Sequence, residues 1–368
     1  MKIDRIELTQ VHIPLVHFFE TSFGRTYDRT IVLVRSFSDG EVGYGEVTAG
    51  ETPFYSHETG DTAWIIIKKF IVPLVLHRDI AHPREVSPLF QPIRGHNMAK
   101  AAIETSIWDL WSRLNHQPLH AVIGGKRGEI ECGVSIGIQE SVPALLKKIE
   151  TEIEAGYRRI KIKIKPGWDV EVVREVRRHF PKIPLMGDAN SAYSLSDVSV
   201  FQRLDEYDLM MVEQPLHWND LIDHAELQRQ IRTPICLDES IHDVDDARKA
   251  IGIGACKIIN MKLGRVGGYT EAKKIHDLAE SRGIPVWCGG MLESGIGRAH
   301  NVALSTLANF KLPGDVSASK RYWNQDIVDP EVEVNPQGRI IVPGGVGFGY
   351  QPVWERVEKL SDRTESFA

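Results

Sequence analysis

Three acidic residues, Asp188, Glu213 and Asp238, close successive short apolar segments, and lysines close the segment before them (Lys163) and the one after (Lys262). The steps between these positions are 25, 25, 25 and 24 residues. Three carboxylates aimed at one point repel one another, and at least one must take up a proton unless a cation lies among them. All-oxygen ligation with room for water or substrate favours Mg²⁺ over zinc, with Mn²⁺ as a substitute. Helix capping or a basic neighbour would account for any one of these acids alone; three in register ask for a common purpose. A carboxylate substrate held at such a metal would have its α-carbon between two amines. One lysine could then remove the α-proton, the metal steadying the enediolate, while the other delivers or removes a proton on the far face. That chemistry needs lysines partly neutral at about pH 7. Lys161, two residues from Lys163, and Arg265, just past Lys262, are therefore expected to lower their partners' pKa by like charge. For Arg265, a helix-end or anion contact is equally open. Asn190 is placed to orient the site or touch substrate, and alternation turns Glu239 away from Asp238 into a supporting role.

A repeat of about 25 residues fits a strand, a turn, a helix and a turn, and right-handed crossovers make the sheet parallel. Eight segments share this texture: ECGVSIG, RIKIKIK, IPLMGDAN, LMMVEQP, TPICLDES, KIINMKLG, IPVWCGG and FKLPGD. Eight strands at one pitch predict a closed α/β barrel, whose active site lies at the C-terminal strand ends. An open doubly wound sheet would usually show GxGxxG after its first strand, and none is present. Strands two and six stand four apart in eight, so Lys163 and Lys262 face each other across the mouth. In Lys161-Ile162-Lys163-Ile164-Lys165, alternation puts the lysines on one face. On an edge strand they would be a solvated face. Inside a barrel they point to the lumen, where an ammonium is costly unless it meets carboxylates or an anionic substrate.

The first 125 residues have a different texture, that of a small α+β unit. Ile31–Phe37 and Val42–Val47 alternate around Ser38-Asp39-Gly40 as a hairpin. Ile103, Ile107, Leu110, Trp111 and Leu114 recur at helical spacing. The segment HFFETSFG, residues 17–24, reads as a loop with three phenylalanines; Phe19 and Phe23, with Tyr55, are candidates for a lid that excludes water, while Phe18 could equally be core. The tail from 325 looks β-rich and is expected to return to the first unit. A chain of 368 residues, 42% hydrophobic and 26% charged, is an ordinary globular one with room for two domains. A formal charge of −6 argues against nucleic acid or an anionic membrane as partner. No apolar run is long enough for a membrane span, and the amino terminus lacks a signal-peptide block. Four scattered cysteines read as buried small hydrophobes in a reducing cytoplasm.

These motifs in this order resemble the muconate-lactonizing-enzyme subgroup of the enolase superfamily. The shared pieces are KxK at 161–163, DAN at 188–190, EQP at 213–215, DES at 238–240 and Lys262, with GYGE at 43–46 and AAIETSIWDL at 101–110 resembling the subgroup's capping domain. IKPGWD at 164–169, KLGRVGGY at 262–269, WCGGMLESGIGRAHN at 287–301 and LPGDVSAS at 312–319 resemble its o-succinylbenzoate synthase / N-succinylamino acid racemase branch. The resemblance implies a modified TIM barrel, (β/α)7β, over residues 126–324, an α+β capping domain over 1–125, and a returning segment over 325–368. It implies Asp188, Glu213 and Asp238 as Mg²⁺ ligands and Lys163 and Lys262 as the catalytic pair. Lys161 would neighbour the substrate carboxylate, and Ser135, Gly290 and Met291 would line the acyl side; Lys165 is an extra lysine that does not shift the base. The reaction is then synthesis of o-succinylbenzoate for menaquinone, racemisation of a succinyl-bearing amino acid, or both, in a cytoplasmic homo-oligomer. A dipeptide epimerase, a muconate-type cycloisomerase and, more remotely, a Schiff-base lyase are the alternatives.

Overall fold

The computed structural model describes residues 1–22 and 24–368; the lid candidate Phe23 lies outside them. An antiparallel sheet opens the chain with β1 (Arg5–Thr21), β2 (Gly24–Ser38) and β3 (Glu41–Val47). The β2–β3 hairpin turns at Asp39-Gly40, with φ of +49° and +81°, the paired left-handed residues of a two-residue turn. Helix α1 (Asn97–Leu114) lies directly on β3. Gly43 and Gly45, two apart and so on one face, permit this: a Cβ on either would collide with the Ser106 or Ala102 carbonyl of the helix.

Residues 17–21 and 24 belong to the sheet and form no separate loop, contrary to the sequence reading. They lie at the end of a hairpin in which β1 and β2 continue to Thr21↔Gly24, after a register shift between Pro14 and Phe19. Proline offers no N–H to the ladder, so the pairing breaks beyond it and re-forms. Phe18 is exposed beside Tyr27 and Arg25, which removes the core reading for that residue.

The barrel runs β4 (Val134–Ile136), β5 (Ile160–Lys163), β6 (Leu185–Asp188), β7 (Val212–Glu213), β8 (Ile235–Leu237), β9 (Ile258–Met261) and β10 (Val286–Cys288). These seven parallel strands are hydrogen-bonded in chain order, with helices between them. The eighth segment closes the ring without a full ladder. Phe310 bridges Val286 and Gly314 bridges Cys132, both in parallel sense, where Pro313 interrupts the N–H row. The fold is thus the modified TIM barrel expected from the motifs. Ile160, Ile162 and Ile164 join the core beneath the helices, while Met186, Met211, Cys236, Ile258 and Trp287 form a second apolar cluster below the site. Strand β11 (Ser361–Phe367) pairs antiparallel with β1. Among the described residues no helix is long and apolar enough to cross a membrane.

The first sheet and helix α1 meet the barrel through two buried carboxylates, each set on a helix start. Glu46 of β3 accepts from the Ser294 and Gly297 amides and from Ser294 Oγ, at the head of the barrel helix Gly295–Leu304. Glu104 of α1 accepts from the Tyr269 and Thr270 amides at the head of the preceding barrel helix, Tyr269–Ser281. Exposed amides at a helix start favour negative charge. Burial works against it, and with Glu293 nearby it pushes the Glu46 carboxyl up to about 7, against the pull of Ser294 and Gly297. A carboxyl raised on folding gives stability that is complete below its unfolded pKa, about 4.5, and lost as pH rises through about 7. Between pH 5 and 8 the native chain should therefore lose about 2–3 kcal/mol relative to Glu46→Gln. Urea unfolding of both proteins at the two pH values measures this; parallel slopes would dismiss it.

Candidate active site

The strand ends bring together every charged residue that the repeat singled out. Asp188, Glu213 and Asp238 are almost fully buried on or just past three neighbouring strands, with Asp188 in register with Glu213. Lys163 Nζ donates to Asp188 at 2.6 Å and to Asn190 Oδ1 at 2.6 Å. Lys262 Nζ donates to Asp238 at 2.8 Å and to the Tyr55 hydroxyl at 3.0 Å. Lys161 Nζ reaches three carboxylates: Asp315 at 2.8 Å, Glu213 at 2.9 Å and Asp188 at 3.1 Å. Lys165, by contrast, lies past the end of β5 in a turn bridged to Trp168.

The turns that follow the strands are conformationally unusual. Asn190, Ser191 and Gln214 have φ of +42°, +63° and +37°, in the left-handed region that costs an L-residue free energy. That backbone aims Asn190 back at its own strand: its N–H donates to Asp188, its carbonyl Oδ1 receives Lys163, and its Nδ2 donates to Glu239 at 2.9 Å. Glu239 therefore faces the site, because a turn does not alternate as a strand does. Its Oε2 is buried without a partner, and burial raises its carboxyl above the usual range.

A cavity of about 870 Å³, measured out to its open mouth, covers this floor. Lys161, Lys163, Lys262, Asn190, Ser135, Gly290, Met291, Phe19 and Tyr55 all line it. Arg265 does not. Its guanidinium is bonded to Asp238 and to the Ile241 and Asn260 carbonyls, so it contacts a carboxylate of the site without lining the cavity. The expected depression of Lys262 is corrected as well. Burial lowers that ammonium, but Tyr55, Glu239 and Glu213 outweigh burial and hold it above the ordinary lysine range. Lys161 is raised for the same reason: burial disfavours its charge, and Asp315, Glu213 and Asp188 more than restore it. Attraction from several nearby carboxylates exceeds burial and the repulsion between cations.

Two contributors were not singled out from the sequence. Asp315 sits between Lys161 and Arg159, and its salt bridge to Arg159 is 2.7 Å long. It ends the FKLPGD segment, so the strand-end rule that found the other acids would have found it too. Asn260 donates to Glu213 at 2.7 Å from within β9; a lone asparagine in an apolar strand offered no comparable signal.

The donor set fits a hard divalent cation. Asp188, Glu213 and Asp238 offer only oxygen, all are buried, and Glu239 Oε2 is an orphaned acceptor beside them. Among the described residues, the acidic group most closely gathered is elsewhere, at His276, Asp277 and Glu280. His276 has neither nitrogen to spare there, since one receives the Asn309 amide and the other contacts Asp277. The barrel acids, whose buried oxygens are now taken up by lysines, are the better candidates.

Comparison with known proteins agrees with this architecture. Residues 5–124 match the mandelate racemase / muconate lactonizing enzyme N-terminal domain, and residues 144–356 match the enolase C-terminal domain-like family. A protein named o-succinylbenzoate synthase from Geobacillus kaustophilus is 52% identical over 100% of this chain and 98% of its own length. One named N-succinylamino acid racemase from Thermus thermophilus is 49% identical over 97% of each. A crystal structure of an enolase-superfamily member from Listeria innocua superposes with a TM-score of 0.97 at 43% identity, covering 100% of this chain and 99% of that one.

Proposed function

The chain belongs to the mandelate racemase / muconate lactonizing enzyme family of the enolase superfamily, and from that premise we propose that it removes a proton α to a carboxylate. The reading is that of an o-succinylbenzoate synthase, an N-succinylamino acid racemase, or both, as its named relatives are called. The observation that supports it best is a single cavity lined by two buried lysines from strands four apart, with three acids on the strands between them.

Asp188, Glu213 and Asp238 would hold Mg²⁺. When bound there, the cation supplies positive charge for the substrate carboxylate as negative charge builds on it. The chain's own residues do the rest. The neutral amine of one lysine takes the α-proton, and the C–H electron pair moves into the carboxylate to give the enediolate. For racemisation the other lysine gives a proton to the opposite face, and its N–H electrons stay on nitrogen. For synthesis the first proton transfer is the same, and loss of hydroxide completes the aromatic ring. Asn190 and Asp188 hold Lys163, Tyr55 and Asp238 hold Lys262, and Phe19 and Met291 add apolar lining to the cavity. We take residues 1–125 as the capping unit, 126–324 as the catalytic barrel and 325–368 as the returning segment, and we place the enzyme in the cytoplasm. Four buried, unpaired cysteines accord with a reducing compartment.

The test is to place the protein with Mg²⁺ in D₂O and follow each enantiomer of N-succinyl-phenylalanine by proton NMR and polarimetry. Loss of the α-proton signal together with loss of rotation is the expected result. An unchanged α-proton and rotation would remove the racemase reading for this substrate. Failure to form o-succinylbenzoate as well would remove the synthase reading.

A further inference from the structure

The capping unit places one aromatic ring over each lysine, but the two contacts differ in kind. Phe19 lies 6.0 Å from Lys163 Nζ and offers only its face. Tyr55 lies closer to Lys262, at 4.3 Å, and adds a hydroxyl that receives the lysine N–H at 3.0 Å and donates to Asp238 at 3.2 Å. An ammonium group has three N–H donors. Lys163 commits two of them to Asp188 and Asn190, both on the β6 end of the barrel. Lys262 commits two to Asp238 and Tyr55, and Tyr55 comes from the other folding unit. Both lysines line the same cavity. The polar contacts made directly to Lys163 are thus internal to the barrel, the capping unit reaching the Asn190 backbone carbonyl through Ser22 Oγ at 3.3 Å, while those made directly to Lys262 are completed by the capping unit.

Resting on the two-lysine reading, we propose that Tyr55 is a positioning residue for Lys262 alone, so that the capping unit controls proton transfer on one face of the substrate. The step concerned is balanced on that face. In one direction the Lys262 lone pair takes the α-proton and the C–H electrons enter the carboxylate. In the other, the enediolate pair forms the new C–H bond as a Lys262 N–H breaks. Removing the hydroxyl leaves Lys262 one polar anchor and leaves the anchors of Lys163 intact. Misdirection of a reacting group by about 1 Å costs about 100-fold in rate.

The experiment compares α-proton exchange of the two N-succinyl-phenylalanine enantiomers in D₂O for wild type, Lys262→Ala, Tyr55→Phe and Tyr55→Leu. Lys262→Ala identifies the enantiomer whose proton Lys262 takes, as the one that ceases to exchange. Tyr55→Phe should slow that same enantiomer by about 10- to 100-fold and change the other by less than about twofold. Tyr55→Leu, which also removes the ring, should act in the same sense and more strongly. The ratio of the two rates in one sample does not depend on how much protein is folded, so a general loss of structure leaves it unmoved. Equal slowing of both enantiomers, or slowing of the other one, would overturn the proposal. A wild type that exchanges neither enantiomer would instead overturn the two-lysine reading beneath it.

Discussion

Lys163→Ala and Lys262→Ala should each reduce racemisation of N-succinyl-phenylalanine by about 10³-fold or more while leaving exchange of one enantiomer. A positioned general base contributes about 10²- to 10⁴-fold, and racemisation requires two of them in series on opposite faces. Neither lysine can stand in for the other, because Lys163 and Lys262 arise from strands four apart and each is tied to its own carboxylate, Asp188 or Asp238. Loss of the amine also removes one of two cations from a buried carboxylate, leaving Lys161 on Asp188 or Arg265 on Asp238, which is destabilising. A thermal melt should accompany each variant, and exchange of the surviving enantiomer serves as an internal check that the site is intact. Racemisation by either variant at more than about a tenth of the wild-type rate would be incompatible with two-base chemistry. The two residual activities should have opposite handedness, one enantiomer surviving in each protein. If both variants retained the same enantiomer, one of the two lysines would have been given the wrong role.

Exhaustive chelation should lower turnover of any dicarboxylate substrate by about 10³-fold, with recovery on adding Mg²⁺ or Mn²⁺. The reason lies in the charge balance of the floor. Asp188, Glu213, Asp238, Glu239 and Asp315 are buried together with Lys161, Lys163, Lys262, Arg265 and Arg159, so five anions stand against five cations. Arg29, at the cavity wall, is paired with Glu51. A substrate with two carboxylates brings two more negative charges to a floor whose named cations are already matched by anions, and a divalent ion matches them. Several kcal/mol of transition-state charge stabilisation correspond to that rate factor. Titration calorimetry with Mg²⁺ alone gives a second readout, in which Asp238→Asn should weaken binding. Full activity in the chelated protein, together with no heat of Mg²⁺ binding, would reject the assignment of these acids.

Much of the barrel was legible in the residues because its logic is local and periodic. A repeat of near 25 residues predicts strand and helix in alternation, and alternation along β5 sends Lys161 and Lys163 to one side and their isoleucine neighbours to the other. Residues at equivalent points of that repeat must meet at one rim. Hence Asp188, Glu213, Asp238, Lys163 and Lys262 could be grouped without coordinates. The hairpin at Asp39-Gly40 and helix α1 were visible for the same reason.

What periodicity could not reach was decided where it breaks down. In the turns at Asn190 and Gln214 the backbone enters the left-handed region, so two-residue alternation no longer says where a side chain points; in the turn after β8, too, alternation ends, and Glu239 meets Asn190 against it. Proline governs two other departures, the register shift after Pro14 and the incomplete eighth strand at Pro313. The pairing of distant groups lay furthest from view. That Tyr55 holds Lys262, that Asp315 holds Lys161, and that Arg265 is bound to Asp238 follow from contacts across 207, 154 and 27 residues of chain. The balance of charges that sets each lysine's proton affinity depends on distances of a few ångströms among groups from different strands and from both folding units. Covalent order carries no record of those distances; they exist only once both units have packed against each other.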